Sequence, residues 1–162
     1  MQLLNETKIL IADDDESMRI LLREAVTRWG FFAVEAKNGE EAWKILQEAA
    51  APRLLILDWK MPKLDGIALC ERIHKELTFK PYIIFLSQVS GAENILKGFD
   101  AGADEFLLKP VNFGELRSRL IFGEKILGLR STINEQEIRL EKNKSYIRTL
   151  EQMIVMLWNA KK

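Results

Sequence analysis

An internal disulfide is excluded at once, because the 162-residue chain has a single cysteine, Cys70. One thiol fits a reducing compartment. Histidine is as scarce, with His74 alone, so no His/Cys cluster is present to favour zinc. Charge of one sign is not in excess either: 24 Lys+Arg balance 24 Asp+Glu. That balance argues against a strongly basic nucleic-acid surface. No apolar run approaches membrane-spanning length. Met1–Glu6 lacks the basic start and long apolar stretch of a secretory signal. The expectation is a soluble, cytoplasmic protein that neither enters a membrane nor binds nucleic acid directly.

The length suffices for one domain with a proper core and a remainder. The chain is organised around Leu54-Leu55-Ile56-Leu57-Asp58, four aliphatic residues that run into one carboxylate. Pro62 and Asp65-Gly66 break the chain just after it. A short apolar run bounded by turn residues predicts a buried parallel strand. Similar runs lie at Lys8–Ala12, Phe31–Ala36, Tyr82–Leu86 and Glu105–Leu108. Helical spacing separates them. Met18, Leu21, Leu22, Ala25 and Trp29 share one face, and Ala42, Ile45, Leu46 and Ala49 another. Leu69, Cys70, Ile73 and Leu77 mark a third helix, while Ile95 and Phe99 anchor a weaker fourth. Phe113, Leu116 and Leu120 mark a fifth. Strands alternating with helices predict an α/β fold with right-handed crossovers and a parallel sheet covered on both faces.

Asp58 then stands at the carboxyl end of a central strand, where open α/β sheets bind ligands. Asp13 and Asp14 end the first strand in the same way. Carboxylates crowded into a cleft repel unless a cation offsets them. Hard oxygen donors suit Mg²⁺ or Mn²⁺. Asp15 fits a helix cap better than a ligand. Ser87 ends the fourth strand, and Lys109 follows the fifth. Each signal alone is weak, but an acidic pair, an acid, a hydroxyl and a lysine ending four strands in that order is specific.

Residues from about Lys8 to Phe122 resemble the receiver domain of two-component response regulators. The matching pieces are Ile9–Asp15, Leu57–Gly66, Leu86-Ser87 and Ala101–Pro110. The resemblance implies a doubly wound, flavodoxin-like five-stranded parallel sheet of order 2-1-3-4-5. It makes Asp58 the acceptor of a phosphoryl group from a sensor histidine kinase or phosphotransfer protein. Asp14, Asp58 and the carbonyl of Lys60 would ligate Mg²⁺, with Asp13 acting through water. Lys109 would pair with phosphoryl oxygens, and Lys109-Pro110 would be cis. Ser87 and Phe106 would be the switch pair. Ser87 stands where threonine is more usual in the family, and Gln88 where a small residue is typical. The donor histidine must come from another protein, since His74 reads as a solvated bystander.

Beyond Phe122 the pattern changes, which places a receiver at 1–122 and a helix at 123–162. Ile126, Ile133, Leu140, Ile147 and Ile154 recur by sevens. Leu129, Gln136, Asn143, Leu150 and Leu157 keep the companion register. No proline interrupts the run from Val111 onward. A helix of this span would be roughly 60 Å long, too long for one core to cover, so a homodimeric coiled coil is expected. Gln136 and Asn143 place polar groups in mid-seam. In a parallel pair Arg139 would face Lys144 of the partner subunit. The run Glu115–Leu127 resembles the junction in response regulators that feed a coiled coil into an output domain, diguanylate cyclase regulators among them.

The expected function is a phosphorylation-controlled switch read out by helix pairing, with only self-catalysed phosphotransfer and dephosphorylation as chemistry. Two other functions compete. A haloacid-dehalogenase-type phosphatase wants a second Asp two residues after the nucleophile, where this chain has Lys60. A receiver-like scaffold would pair without accepting phosphate.

Overall fold

The computed structural model describes residues 7–160. Ten elements alternate along the chain: β1 (Lys8–Ala12), α1 (Glu16–Arg28), β2 (Phe32–Ala36), α2 (Gly39–Leu46), β3 (Leu54–Asp58), α3 (Gly66–Glu76), β4 (Tyr82–Ser87), α4 (Ala92–Asp100), β5 (Glu105–Leu108) and α5 (Phe113–Asn159). The strands form one parallel sheet in the order β2-β1-β3-β4-β5. This is the doubly wound, flavodoxin-like arrangement that the resemblance implied.

Strand position explains strand composition. β3 and β4 are buried along their whole length, and both are near-continuous apolar runs. The edge strands β2 and β5 are only partly covered and carry Glu35 and Glu105. Successive residues point to opposite faces. Leu55, Leu57, Ile83 and Phe85 therefore meet Ala42, Leu69 and Ile73 on one side. Leu54, Ile56, Ile84 and Leu86 meet Leu22, Val26, Leu116 and Leu120 on the other.

The helix starts are capped by side chains that the sequence offers at the right places. Asp15 accepts from the Ser17 amide (2.9 Å), Asn38 from Glu41 (3.0 Å) and Asp65 from Ala68 (2.8 Å). Each cap also fixes a loop at the carboxyl edge of the sheet.

Three expected core positions lie elsewhere. Phe99 is exposed, and the face of α4 that meets the sheet carries Gly98 instead. A side chain at 98 would press on the rings of Phe106, Phe85 and Trp59 at 3.1–3.4 Å. Glycine is needed there for close helix approach. Leu21 is also exposed, because α1 turns Arg19, Leu22 and Val26 inward. The α2 helix stops at Leu46, so Ala49 falls outside it and is exposed, while Trp43 takes the core position.

Cys70 is fully buried on the inner face of α3. Burial first, and the charges of Asp104 and Glu71 next, push its thiol up to about 12. Native protein at neutral pH should therefore leave Cys70 unreacted with a chromogenic disulfide reagent, and denaturant should release one thiol. Rapid labelling of native protein would show that α3 opens locally.

The chain divides into two compact units, one ending at Leu127 and one starting at Gly128. Ile126 and Leu127 pack against the second core face, so the first unit continues past Phe122. At the end of the sheet away from Asp58, the Tyr82 hydroxyl donates to Glu105 (3.2 Å). Arg119 of α5 pairs with the same carboxylate at 3.1 Å. A side chain at Gly123 would collide with Tyr82 and Leu54, which shows how closely α5 crosses there. In the second unit, Leu129, Ile133, Leu140, Ile147, Leu150, Ile154 and Leu157 are all exposed. No helix among the described residues is long and apolar enough to cross a membrane.

Candidate functional site

The strand order brings the expected residues to one edge. β1 lies between β2 and β3, so Asp13 and Asp14, just beyond β1, flank Asp58 at the end of β3. Carboxylate oxygens of Asp13, Asp14 and Asp58 all lie within 4.8 Å of one another. They line a cavity of about 210 Å³ together with Lys60, Ser87 and Lys109. Asp15, Trp59, Gln88 and Val89 complete its wall.

Each acid has a different job. Asp13 is buried, and both its oxygens are engaged: one accepts from the Asp15 amide (2.9 Å), the other from Lys109 Nζ (2.9 Å). Asp14 is exposed and lines the cavity. Asp58 is buried, and its Oδ1 lies 3.0 Å from Lys109 Nζ. One ammonium thus serves two carboxylates while three acids converge. Burial raises the Asp58 carboxyl to about 6 against the Lys109 hydrogen bond, with the Asp13 and Asp14 charges adding to the rise. Burial opposes the Lys109 charge, but hydrogen bonds to Asp13 and Asp58 overcome that and raise its pKa.

The Lys109-Pro110 bond is cis, as the resemblance implied. The Lys109 amide also donates to the Ser87 carbonyl (2.8 Å), which ties the ends of β4 and β5. Ser87 is buried, and its hydroxyl oxygen accepts from the Val89 amide (2.9 Å). The loop after Asp58 is held by the Gly66 amide, which donates to the Trp59 carbonyl (2.9 Å). A Cβ at 66 would strike the Asp58 carbonyl oxygen. Gly66 thus lets α3 begin hard against the end of β3.

Trp59 tilts over Phe85 (centroids 5.6 Å) and meets Phe106 edge to face (5.7 Å). Phe106 is half-buried against the first core face. His74 is exposed, and its Nδ1 lies 2.9 Å from the Cys70 carbonyl oxygen. It takes no part in the acidic cavity.

Arg19 is the residue that the sequence analysis missed. It is buried, and its Nη1 donates to the Asp13 carbonyl at 2.8 Å. Its Nε lies 3.8 Å from Glu35 of β2. The guanidinium pins the main chain that carries Asp13 and Asp14. The signal was there to see: Arg19 falls on the same face of α1 as Leu22 and Val26, a charge within an apolar stripe.

Residues 9–121 match the response regulator receiver domain family. The chain belongs to that family. Receivers are signalling modules of two-component systems rather than conventional enzymes. They bind Mg²⁺ at an acidic cluster and interact with histidine kinases or phosphotransfer proteins. The receiver is 32% identical over 123 residues to the chemotaxis protein CheY1 of Helicobacter pylori, a match covering 75% of this chain and 97% of that protein. It is 37% identical over 117 residues to ycf27 of Cyanophora paradoxa, described as a probable transcriptional regulator. That match covers 72% of this chain and 48% of ycf27. The chain thus spans about half the length of several curated relatives it matches. Among solved structures, the Francisella response regulator 1452 receiver domain aligns with a TM-score of 0.70 and 30% identity. That alignment covers 75% of this chain and 98% of the Francisella domain. The receiver family match stops at residue 121, part-way through the Glu115–Leu127 junction.

Trp59 adjoins Asp58 and lines the cavity, so Mg²⁺ should change its fluorescence. Trp29, Trp43 and Trp158 supply the background. Trp59→Phe should remove most of the Mg²⁺-dependent change. An equal response in wild type and variant would separate Trp59 from the cation.

Proposed function

We propose that this receiver accepts a phosphoryl group on Asp58, with Mg²⁺ at the acidic cavity, and signals through pairing of its C-terminal helix. The observation that carries the reading is the convergence of Asp13, Asp14 and Asp58 around one lysine. A carboxylate oxygen of Asp58 attacks phosphorus of a phosphohistidine on a sensor kinase or phosphotransfer protein. The O–P bond forms, the P–N bond breaks, and the imidazole nitrogen leaves with the bonding pair. The product is an acyl phosphate, which water later hydrolyses.

The donor set fits a hard divalent cation: three carboxylates, two of them buried, with one ammonium among them. Asp14, Asp58 and the Lys60 carbonyl would hold it, with Asp13 acting through water, and it would supply positive charge for the transferring phosphoryl group. Lys109 holds Asp58 in place now and would pair with phosphoryl oxygens afterwards. The Ser87 hydroxyl oxygen accepts from the Val89 amide and donates a long bond (3.5 Å) to the Val89 carbonyl, which it would exchange for a phosphoryl oxygen. Phe106, beside Trp59, would move inward behind Ser87. The face formed by α4, β5 and α5 would shift with them, and α5 is the element that continues into the coil.

Incubation with acetyl phosphate and Mg²⁺, followed by intact mass, tests the reading. One lasting phosphoryl adduct is expected, and chelation should prevent it. Turnover without an adduct would favour a phosphatase. Neither adduct nor turnover would leave a scaffold that pairs without phosphate.

A further inference from the structure

We propose that Arg19 is a positioning residue for the cation: its guanidinium holds the peptide that joins Asp13 to Asp14 and so sets how tightly the acidic cavity binds Mg²⁺. This rests on the Mg²⁺ reading of that cavity proposed above and names a residue outside it on which the binding depends. Arg19 does not line the acidic cavity. It lines a separate cleft with Glu35, Lys37 and Glu41. Its route to the acids is the main chain.

The strand pairing shows why a side chain is needed there. The Asp13 amide donates to the Ala36 carbonyl (3.2 Å), which carries the pairing of β1 with β2 one residue past Ala12. The Lys37 amide then turns away and donates to Glu41 Oε2 (2.9 Å), and Asn38 caps α2. No main-chain amide among the described residues donates to the Asp13 carbonyl, and Arg19 Nη1 supplies that donor at 2.8 Å. The Asp13 carboxylate is held separately, by the Asp15 amide and Lys109. The carbonyl belongs to the peptide that leads into Asp14. Asp14 is exposed, so the direction of its side chain depends on that peptide.

A purely structural tie between α1 and β2 does not need Arg19. Arg23 already makes it, with Nη1 2.9 Å from Glu35 Oε2, against 3.8 Å from Arg19 Nε to Oε1. Burying a guanidinium is costly unless its hydrogen bonds are made. Arg19 is only 6% exposed, and its closest partner is the Asp13 carbonyl. The planar fork lets one residue face two partners at once, the carbonyl through Nη1 and Glu35 through Nε. The sign of the effect separates positioning from charge. As a bare cation near three acids, Arg19 would repel Mg²⁺, and its loss would tighten binding. As a positioning residue, its loss loosens binding.

Urea denaturation of the whole chain across a Mg²⁺ series tests this. The stability that Mg²⁺ adds reports its affinity for the folded state, apart from the baseline stability. Arg19→Gln is expected to weaken Mg²⁺ binding about 10-fold. Half-saturation of acetyl phosphate labelling should move to higher Mg²⁺ by the same factor. Arg19→Lys keeps the charge without the fork and should fall between. Glu35→Gln leaves Arg19 in place but loosens its anchor, so a smaller weakening is expected. A lower baseline with unchanged Mg²⁺ affinity in Arg19→Gln overturns the positioning role. If neither Arg19 variant folds, unchanged affinity in Glu35→Gln overturns it. Tighter binding in Arg19→Gln overturns it too and leaves Arg19 a repelling charge. Wild type that gains no stability from Mg²⁺ overturns this role together with the Mg²⁺ reading of the cavity.

Discussion

Asp58→Asn is expected to abolish labelling by acetyl phosphate and, without metal at neutral pH, to stabilise the fold by about 1–3 kcal/mol. The first effect follows from chemistry, because an amide is a poor nucleophile. The second follows from charge. The Asp58 carboxyl is raised from 3.8 to about 6, chiefly by burial and then by the neighbouring acids. The folded state therefore holds the Asp58 proton more tightly than the unfolded chain does. The stability this confers is fully present below 3.8 and is lost as pH rises through about 6. At neutral pH the wild type carries the whole penalty of a buried carboxylate beside two others. The low end of the range reflects the opening of the cavity to water, which screens these charges. Asparagine keeps an oxygen facing Lys109 but carries no charge at any pH.

Urea denaturation of both proteins in chelator should show the variant more stable at pH 7.5. The gap should close near pH 4. Added Mg²⁺ should stabilise wild type more than the variant, because it binds the folded acid cluster. Labelling that persists in Asp58→Asn would overturn the acceptor assignment. A wild type as stable as the variant in chelator at pH 7.5 would show that the acids do not strain one another.

Loss of the helix seam should have the second large effect. Ile147→Asp with Leu150→Asp is expected to give mostly monomer, with Asp58 labelling intact. Both side chains are exposed on the helix by itself, so pairing is what would bury them. Full burial of each contributes on the order of 1.5–3 kcal/mol. Aspartate at the same positions adds like charges across the seam. Asn143 lies in the weak centre and would set register rather than strength. The expected contact between Arg139 and Lys144 of the partner subunit is eased within each helix, since Lys144 also pairs with Glu141 at 2.9 Å. That exposed pair adds little stability of its own. Truncation after Leu127 should act like the double variant while keeping the core contacts of Ile126 and Leu127. A dimer of unchanged affinity in either variant would rule out the coil as its source. Coil distances from spin labels, with and without beryllium fluoride, test the coupling. The coil responds only as far as phosphorylation favours one arrangement over the other.

The strands were legible in the sequence because a parallel strand buried on both faces needs apolar residues at every position. Such a run ends visibly at a turn or a charge, which is how Asp58 and Ser87 declared their places. The continuous α5 helix was legible for a similar reason, since no proline follows Val111 and its apolar spacing persists. Strand order by itself was not. Resemblance supplied it, and the backbone pairing of β1 with β3 establishes it here.

Contacts between distant residues also needed the tertiary structure. Lys109 and Asp13 are 96 positions apart and meet at 2.9 Å. Local periodicity carries no information about such a pair. Helix rotation was likewise decided by packing. A pattern with Ile95 and Phe99 as its main anchors leaves several rotations open, and the close fit of Gly98 against Phe85, Phe106 and Trp59 selects one. Arg19 shows the same limit from the polar side. Its spacing places it on the buried face of α1, but only the carbonyl of Asp13, brought within 2.8 Å by the fold, explains why a charge belongs there.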